Sequence, residues 1–385
     1  MYNDLENFIA FTERDEFHNN QKLESALYPY PYEDYSLLEL CCYHGAVDCF
    51  KFLRTKFNSE ITQKCLQLSF LGGNPEIMSE CLKYRKPDER CMEYAIISHN
   101  IDFVTFLMNE YNIKINLTCC EWYNNLESIL VYFDQTNDIS NNFVYATKFN
   151  IPSLCEYFLK HGAITNEKND IGKTALYYAV RYCSIEMAEI LISHGANFNK
   201  KDYDGLTSLH DAAIYNNKEM AEFLISHGVN INEKDRYGKT ALHYAALYNS
   251  TETAEPLISN GANINEKDDF IHTALLNAAG NKNKEMAKFL ILHGANVDEK
   301  DNLGQAALHF AARYNYKELA ELLILHGANI NEQNNFRYTA LKYAALYRSK
   351  ETAELLISYG ANINGIEYFI ENYGIKIKKQ PELRI

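Results

Sequence analysis

Glycine recurs at a fixed distance through the second half of the chain. Gly162, Gly195, Gly228, Gly261, Gly294, Gly327 and Gly360 lie 33 residues apart. The segments around them are copies of one another. "SHGANFNKKDYDGLTSLHDAA" (193–213) returns as "SHGVNINEKDRYGKTALHYAA", "SNGANINEKDDFIHTALLNAA", "LHGANVDEKDNLGQAALHFAA" and "LHGANINEQNNFRYTALKYAA". A repeat of this length cannot bury its own apolar face, so it must stack on its copies as a solenoid. The first of these segments holds His194, Asp202, Asp204, His210 and Asp211, a density that would suit a catalytic or metal site. Yet Asn260 and Tyr359 replace His194 in sister copies, and Leu276 and Lys342 replace His210. A site that depends on one unique constellation is not built from exchangeable parts, so no catalytic residue and no metal ligand is assigned.

Each unit reads as helix, turn, helix and hairpin arm. In residues 202–234, "TSLHDAAIYN" spaces its apolar residues for a helix, with Thr207 placed to cap it. After a break at Asn216 and Asn217, "KEMAEFLISH" forms a second helix, which Gly228 ends in a left-handed conformation. "VNINEKDRYG" then alternates apolar and polar residues toward a turn at Gly238, as an extended arm would. Constant columns have mechanical readings. Ala188, Ala221, Ala254, Ala287, Ala320 and Ala353 let helices approach closely. Glu186, Glu219, Glu252, Glu285, Glu318 and Glu351 meet the positive end of the second helix, each worth about 0.3–1 kcal/mol. His194, His227, His293 and His326 stand at its other end. Pro256 falls inside a second helix, where Ile190, Phe223, Phe289, Leu322 and Leu355 stand in the other copies, at a cost of up to about 3 kcal/mol. It reads as a tolerated kink; the competing reading is a point at which the array flexes.

The length, the T-x-L-H slot and the "G-A-N-I-N-x-K-D" tail resemble the ankyrin repeat. The slot reads "TALY" (174–177), "TSLH" (207–210), "TALH" (240–243), "TALL" (273–276), "AALH" (306–309) and "TALK" (339–342). Proline is absent from its second position, and Ile271 and Arg337 replace turn glycines, which should loosen those turns. Six full copies cover 169–366. The resemblance implies an all-α solenoid of stacked helix-turn-helix units with β-hairpin tips. It also implies that His210, His243 and His309 bond a neighbouring turn, and that partners dock on the tips and on a concave face of first helices.

The first 140 residues carry a looser rhythm. Helix breaks near 45, 73, 99, 124 and 149 are spaced by about 25 to 28 residues, as in units that keep two helices and lose the tip. The block resembles uncharacterised segments that precede ankyrin arrays in protist protein families. The expected organisation is 1–140 as degenerate repeats capping the array, 141–366 as the array, and 367–385 as a closing segment or tail, all in one elongated body. Residues 1–35 are expected to hold one or two helices, "DLENFIAFTERDEF" and "NNQKLESAL", before a connector, "YPYPYEDYS".

Composition removes several classes. A net charge of −14 opposes phosphate-backbone binding, so no nucleic acid partner is expected. The ten cysteines form no C-x-x-C pair and read as buried reduced thiols of a cytosolic protein. The acidic N-terminus is not a signal peptide, and no apolar run approaches the roughly 20 residues of a membrane span. A cytoplasmic location is expected, the nucleus remaining open. No phosphate loop, nucleophile elbow or paired-carboxylate constellation is present, so neither enzyme activity nor a cofactor is expected. The remaining expectation is a monomeric scaffold for an unidentified protein partner. The alternative is a substrate-recruiting adaptor of a larger complex such as a ubiquitin ligase, although the nineteen residues after 366 leave little room for a docking box. Candidate contact positions are the apolar tips Ile171, Tyr203, Tyr237, Phe270, Leu303 and Phe336. A second column, Tyr182, Tyr215, Tyr248, Tyr314 and Tyr347, ends the first helices and is read either as recognition surface or as packing between repeats.

Overall fold

Paired helices supply nearly all the regular structure in the computed structural model, which describes residues 4–14, 17–18, 21–23 and 34–364. Contacts divide the chain into two units. Met1–Phe149 and Lys160–Ala163 form one; Asn150–Leu159 and Ile164–Ile385 form the other.

In the first unit, α1 (Leu5–Thr12) is capped by Asp4, whose carboxylate accepts the Asn7 N–H at 3.1 Å. The second helix expected in the first 35 residues does not form where the chain is described. Lys22–Leu23 instead pair antiparallel with Tyr35–Ser36, and Tyr35 is fully buried, an apolar anchor that favours the ladder. The rest of that stretch, and most of "YPYPYEDYS", lie outside the described residues. Four helix pairs follow: α2 (Leu37–His44) with α3 (Val47–Phe57), α4 (Gln63–Gly72) with α5 (Pro75–Leu82), α6 (Glu89–Ile97) with α7 (Ile101–Tyr111), and α8 (Leu117–Trp122) with α9 (Leu126–Thr136). Helix α10 (Ile139–Ala146) follows them. Each pair turns through one left-handed residue, Gly45, Gly73, His99 or Asn124, which reverses the chain within a residue or two. The core between these pairs is rich in cysteine. All ten cysteines of the chain are free thiols, and only Cys183 is exposed. Burial pushes the thiols of Cys119 and Cys155 up to about 12, which makes them inert packing groups.

In the second unit, α11 (Pro152–Lys160), which lies there in all but its last residue, precedes six pairs. These are α12 (Ala175–Arg181) with α13 (Ile185–Ser193), α14 (Ser208–Ile214) with α15 (Lys218–Ser226), and α16 (Ala241–Tyr248) with α17 (Thr251–Ser259). Then come α18 (Ala274–Gly280) with α19 (Lys284–Leu292), α20 (Ala307–Arg313) with α21 (Lys317–Leu325), and α22 (Ala340–Leu346) with α23 (Lys350–Ser358). First helices stack on first helices and second on second. The alanine column from Ala188 to Ala353 is wholly buried, as close helix approach requires. His194, His227 and His293 each set Nδ1 2.8 Å from the carbonyl four residues earlier, satisfying a helix-end acceptor. Asn260 does the same with its amide, donating to Pro256 O at 2.8 Å, which explains why the two residue types exchange.

The tips are turns and not the β-hairpins expected from the sequence. Among the described residues of this unit no strand forms. Two backbone bonds close each tip, for example Asp202 N–H to Leu206 O at 2.9 Å and Gly205 N–H to Asp202 O at 3.3 Å. The Asp202 carboxylate accepts the N–H groups of Asp204 and Leu206 at 2.8 and 2.9 Å, taking the place of a strand partner. Asp235, Asp268, Asp301 and Asn334 repeat this device.

Two ladders join the arms of successive repeats. Oδ1 of Asn232 accepts the Asn263 N–H at 2.8 Å, and Asn265 and Asn331 accept from Asn296 and Asn362 in the same way. Beside them, Lys201 pairs with Glu233, Lys234 with Glu266 and Lys267 with Glu299 at 2.6–2.7 Å, and Lys300 pairs with Glu332.

Candidate partner-binding surface

The polar residues that crowd residues 193–213 resolve into separate fastenings. His194 closes its own helix. Asp204 pairs with Arg236 of the next tip at 2.6 Å. His210 receives the Thr207 backbone N–H on Nδ1 at 3.1 Å and sets Nε2 3.1 Å from Lys239 O. A backbone N–H can only donate, so Nδ1 is the bare nitrogen and Nε2–H donates to the neighbouring repeat. His243 and His309 make the same bridge to His272 O and Tyr338 O. Burial lowers the pKa of all three rings, which keeps them neutral. Asp211 is the departure from this order. It stands where Tyr178, Tyr244 and Tyr343 reach the turn side chains of their own repeats. Burial raises its carboxyl to about 7, opposed by Lys173. Among the described residues no group of three or more His, Cys, Asp or Glu could hold a metal ion.

The six tip residues all stand exposed: Ile171, Tyr203, Tyr237, Phe270, Leu303 and Phe336. Tyr203 and Phe336 show 62% and 61% of their surface to solvent, high for rings of that size. They are held by shallow contacts. The Tyr203 ring covers Gly172 of the preceding turn, where a Cβ would meet it at 2.3 Å. Arg236 lies 4.8 Å from the Tyr237 ring, and Lys239 lies 5.2 Å from the Phe270 ring.

The tyrosine column divides its surface between both readings. Tyr182, Tyr215, Tyr248 and Tyr347 are exposed and Tyr314 is half-buried. Yet Tyr215 hydrogen-bonds Tyr177 of the preceding repeat at 2.9 Å, and Tyr347 stacks on Tyr343 with ring centroids 6.1 Å apart. Sequence reasoning passed over the cations set among these rings. Arg181 lies 5.6 Å from the Tyr215 ring, Lys282 5.0 Å from Tyr314, and Arg313 4.9 Å from Tyr347. The signal was local, since Arg181 and Arg313 directly precede column tyrosines and Lys282 follows Asn281, the column's exception.

Among the described residues no helix is long and apolar enough to cross a membrane. Comparison with known proteins completes the picture. Residues 57–132 match a domain of unknown function (DUF3447). A search of curated proteins gave no match. Models described as ankyrin repeats match 122–202, 196–268 and 271–366, with a further match over 248–291. These segments cover more than half of the chain, which therefore belongs to the ankyrin repeat family.

Proposed function

We propose that this chain is a non-catalytic scaffold that captures a protein partner on its ankyrin array, through the turn tips and the adjoining face of first helices. Ankyrin repeats are in general protein–protein interaction modules. The observation that carries the finer reading is the row of exposed apolar tips, Ile171 to Phe336, in turns otherwise made of Lys, Asp and Asn. Side chains that gain little from the fold yet stay apolar are suited to burial against a partner. The triple substitution Tyr237→Ser, Phe270→Ser and Phe336→Ser tests this. Proximity labelling in the native cell should lose the partners enriched by the wild-type chain, while the melting temperature stays within about 3 °C, since exposed positions contribute little stability. An unfolded triple variant would show that these rings belong to the core; an unchanged set of labelled partners would show that the tips are not the contact.

A further inference from the structure

Six lysines at the tips are neutralised within the fold: Lys201, Lys234, Lys267 and Lys300 pair with the glutamates of the next repeat, and Lys173 and Lys239 pair with Asp202 and Asp268 at 2.6 and 3.2 Å. Three cations at the ends of the first helices are not. Among the described residues no ion pair includes Arg181, Lys282 or Arg313. Their neighbours are rings. Arg181 lies near Tyr182 and Tyr215 at 5.9 and 5.6 Å, Lys282 near Tyr314, and Arg313 near Tyr314 and Tyr347 at 5.6 and 4.9 Å. Arg181 spends one N–H on Tyr177 Oη and keeps its other donors. The nearby carboxyl, Asp211, is buried, carries a raised pKa of about 7 and faces Lys173 as well as Arg181.

A chain of net charge −14 has acid to spare, yet it leaves these three positive groups out of any ion pair among the described residues, beside tyrosines that keep surface open to solvent. A ring that orients a cation while leaving its N–H groups free makes a preorganised receptor for an anionic side chain. We infer that the first-helix face of the array recognises an acidic peptide segment of its partner, whose carboxylates pair with Arg181, Lys282 and Arg313 while its apolar residues lie on Tyr215, Tyr314 and Tyr347. A protein segment fits better than nucleic acid because the positive groups are few and stand apart on an acidic molecule, whereas phosphate binding needs a continuous basic track.

The inference rests on the protein-binding reading, and its test is separable from the tip substitutions. The full chain is immobilised and a random twelve-residue peptide library is selected on it at about 50 mM salt. Peptides rich in Asp and Glu interspersed with apolar residues should be enriched. The strongest should bind at least tenfold more weakly to the variant Arg181→Gln/Lys282→Gln/Arg313→Gln, and to the wild type at 300 mM salt. The variant's melting curve shows that it folds, and Lys282→Arg should retain binding, because charge and not fit is the requirement. Selection of basic or neutral peptides, no enrichment, equal binding by the triple Gln variant, or tighter binding of a labelled single-stranded oligonucleotide than of any acidic peptide would each overturn the inference. If cellular partners are lost on tip substitution but their contact segments prove neutral, the scaffold reading stands and this one falls.

Discussion

At Thr240 the backbone N–H donates to Nδ1 of His243 at 3.1 Å, while Nε2 of the same ring lies 3.0 Å from His272 O, twenty-nine residues away. One neutral ring thus caps its own helix and holds the next turn. His309 does both jobs above Ala306, which has no hydroxyl, so the ring is the active fastening and the threonine is dispensable. Where Leu276 replaces the ring, Thr273 turns its oxygen to the Leu276 N–H at 3.3 Å, and the link to the next repeat is gone. His243→Leu should therefore cost about 1–2 kcal/mol at pH 7.5, the worth of two hydrogen bonds. Because burial lowers the folded pKa of His243 below the unfolded value of about 6.5, its neutral ring contributes fully above about pH 6.5. That contribution is lost as pH falls below 6.5 toward the folded value. The gap in melting temperature between wild type and variant should narrow from pH 7.5 to pH 5. Asp211, raised to about 7, runs the other way, its contribution fading between about pH 4 and 7, but it is present in both proteins and cancels in the difference. A gap that holds constant or widens would refute the assignment of the neutral ring. At this scale the sequence was legible through recurrence. Exchangeable His and Asn announced a structural role, whereas the asparagine ladder stayed hidden because the partner of Asn232 lies thirty-one residues away and asparagine in a turn has ample local reasons to be there.

Every helix pair in the array turns on one left-handed residue: Cys183, Asn216, Asn249, Lys282, Asn315 and Arg348. The breaks near 45, 73, 99 and 124 carry the same device at the shorter spacing. The helix pairs were thus readable from apolar spacing and break residues, in both halves. The tips were misread as hairpin arms because alternation of apolar and polar residues predicts a strand, and it does not reveal that an Asp or Asn side chain will satisfy the donors a strand partner would take. Pro256 shows how an element absorbs a fault. Helix α17 spans nine residues, as α15 and α19 do. Pro256 is buried, and Pro256 O receives both the backbone and side-chain N–H of Asn260 at 3.1 and 2.8 Å. What the helix lacks is the donor that would bond Glu252 O. Leucine is the residue at this position in two sister copies, so Pro256→Leu should restore the bond without crowding. The expected gain is about 1–3 kcal/mol, a rise of roughly 2–4 °C in melting temperature per kcal/mol. An unchanged or lower melting temperature would show that the element has already repaired itself.

Across the array the faults are not spread evenly. Pro256 interrupts α17. Ile271, a β-branched residue, holds φ at 65° where the other tips but the last use glycine, a conformation that costs about 1–2 kcal/mol. Its own turn still closes through Ile271 N–H to Asp268 O at 2.9 Å, but no backbone bond joins Phe270 to Asn302 as Tyr237 joins Asp269 and Leu303 joins Asn335. Leu276 removes the histidine link. Asn277 takes a tyrosine's place and leaves its amide nitrogen buried without a hydrogen bond. All of these fall between residues 256 and 277, in two adjacent repeats. A stack whose units touch only their neighbours has stability that is a sum of local terms, so clustered penalties make one junction weaker than the rest. Two readings of Pro256, a tolerated kink and a point of flexure, then become a question about its company and not about the proline alone. Native-state hydrogen exchange decides it. Amides in 253–260 and 274–283 should exchange at least tenfold faster than their counterparts in 220–227 and 307–316, a difference of about 1.4 kcal/mol in local opening. The triple variant Pro256→Leu/Ile271→Gly/Leu276→His should remove most of that difference, because it restores a helix bond, relaxes a turn and returns a bridge between repeats. Uniform exchange along the unmodified array would mean that opening is all-or-none, and that the asparagine and lysine–glutamate ladders, which run unbroken past residues 256–277, couple the repeats strongly enough to share the cost.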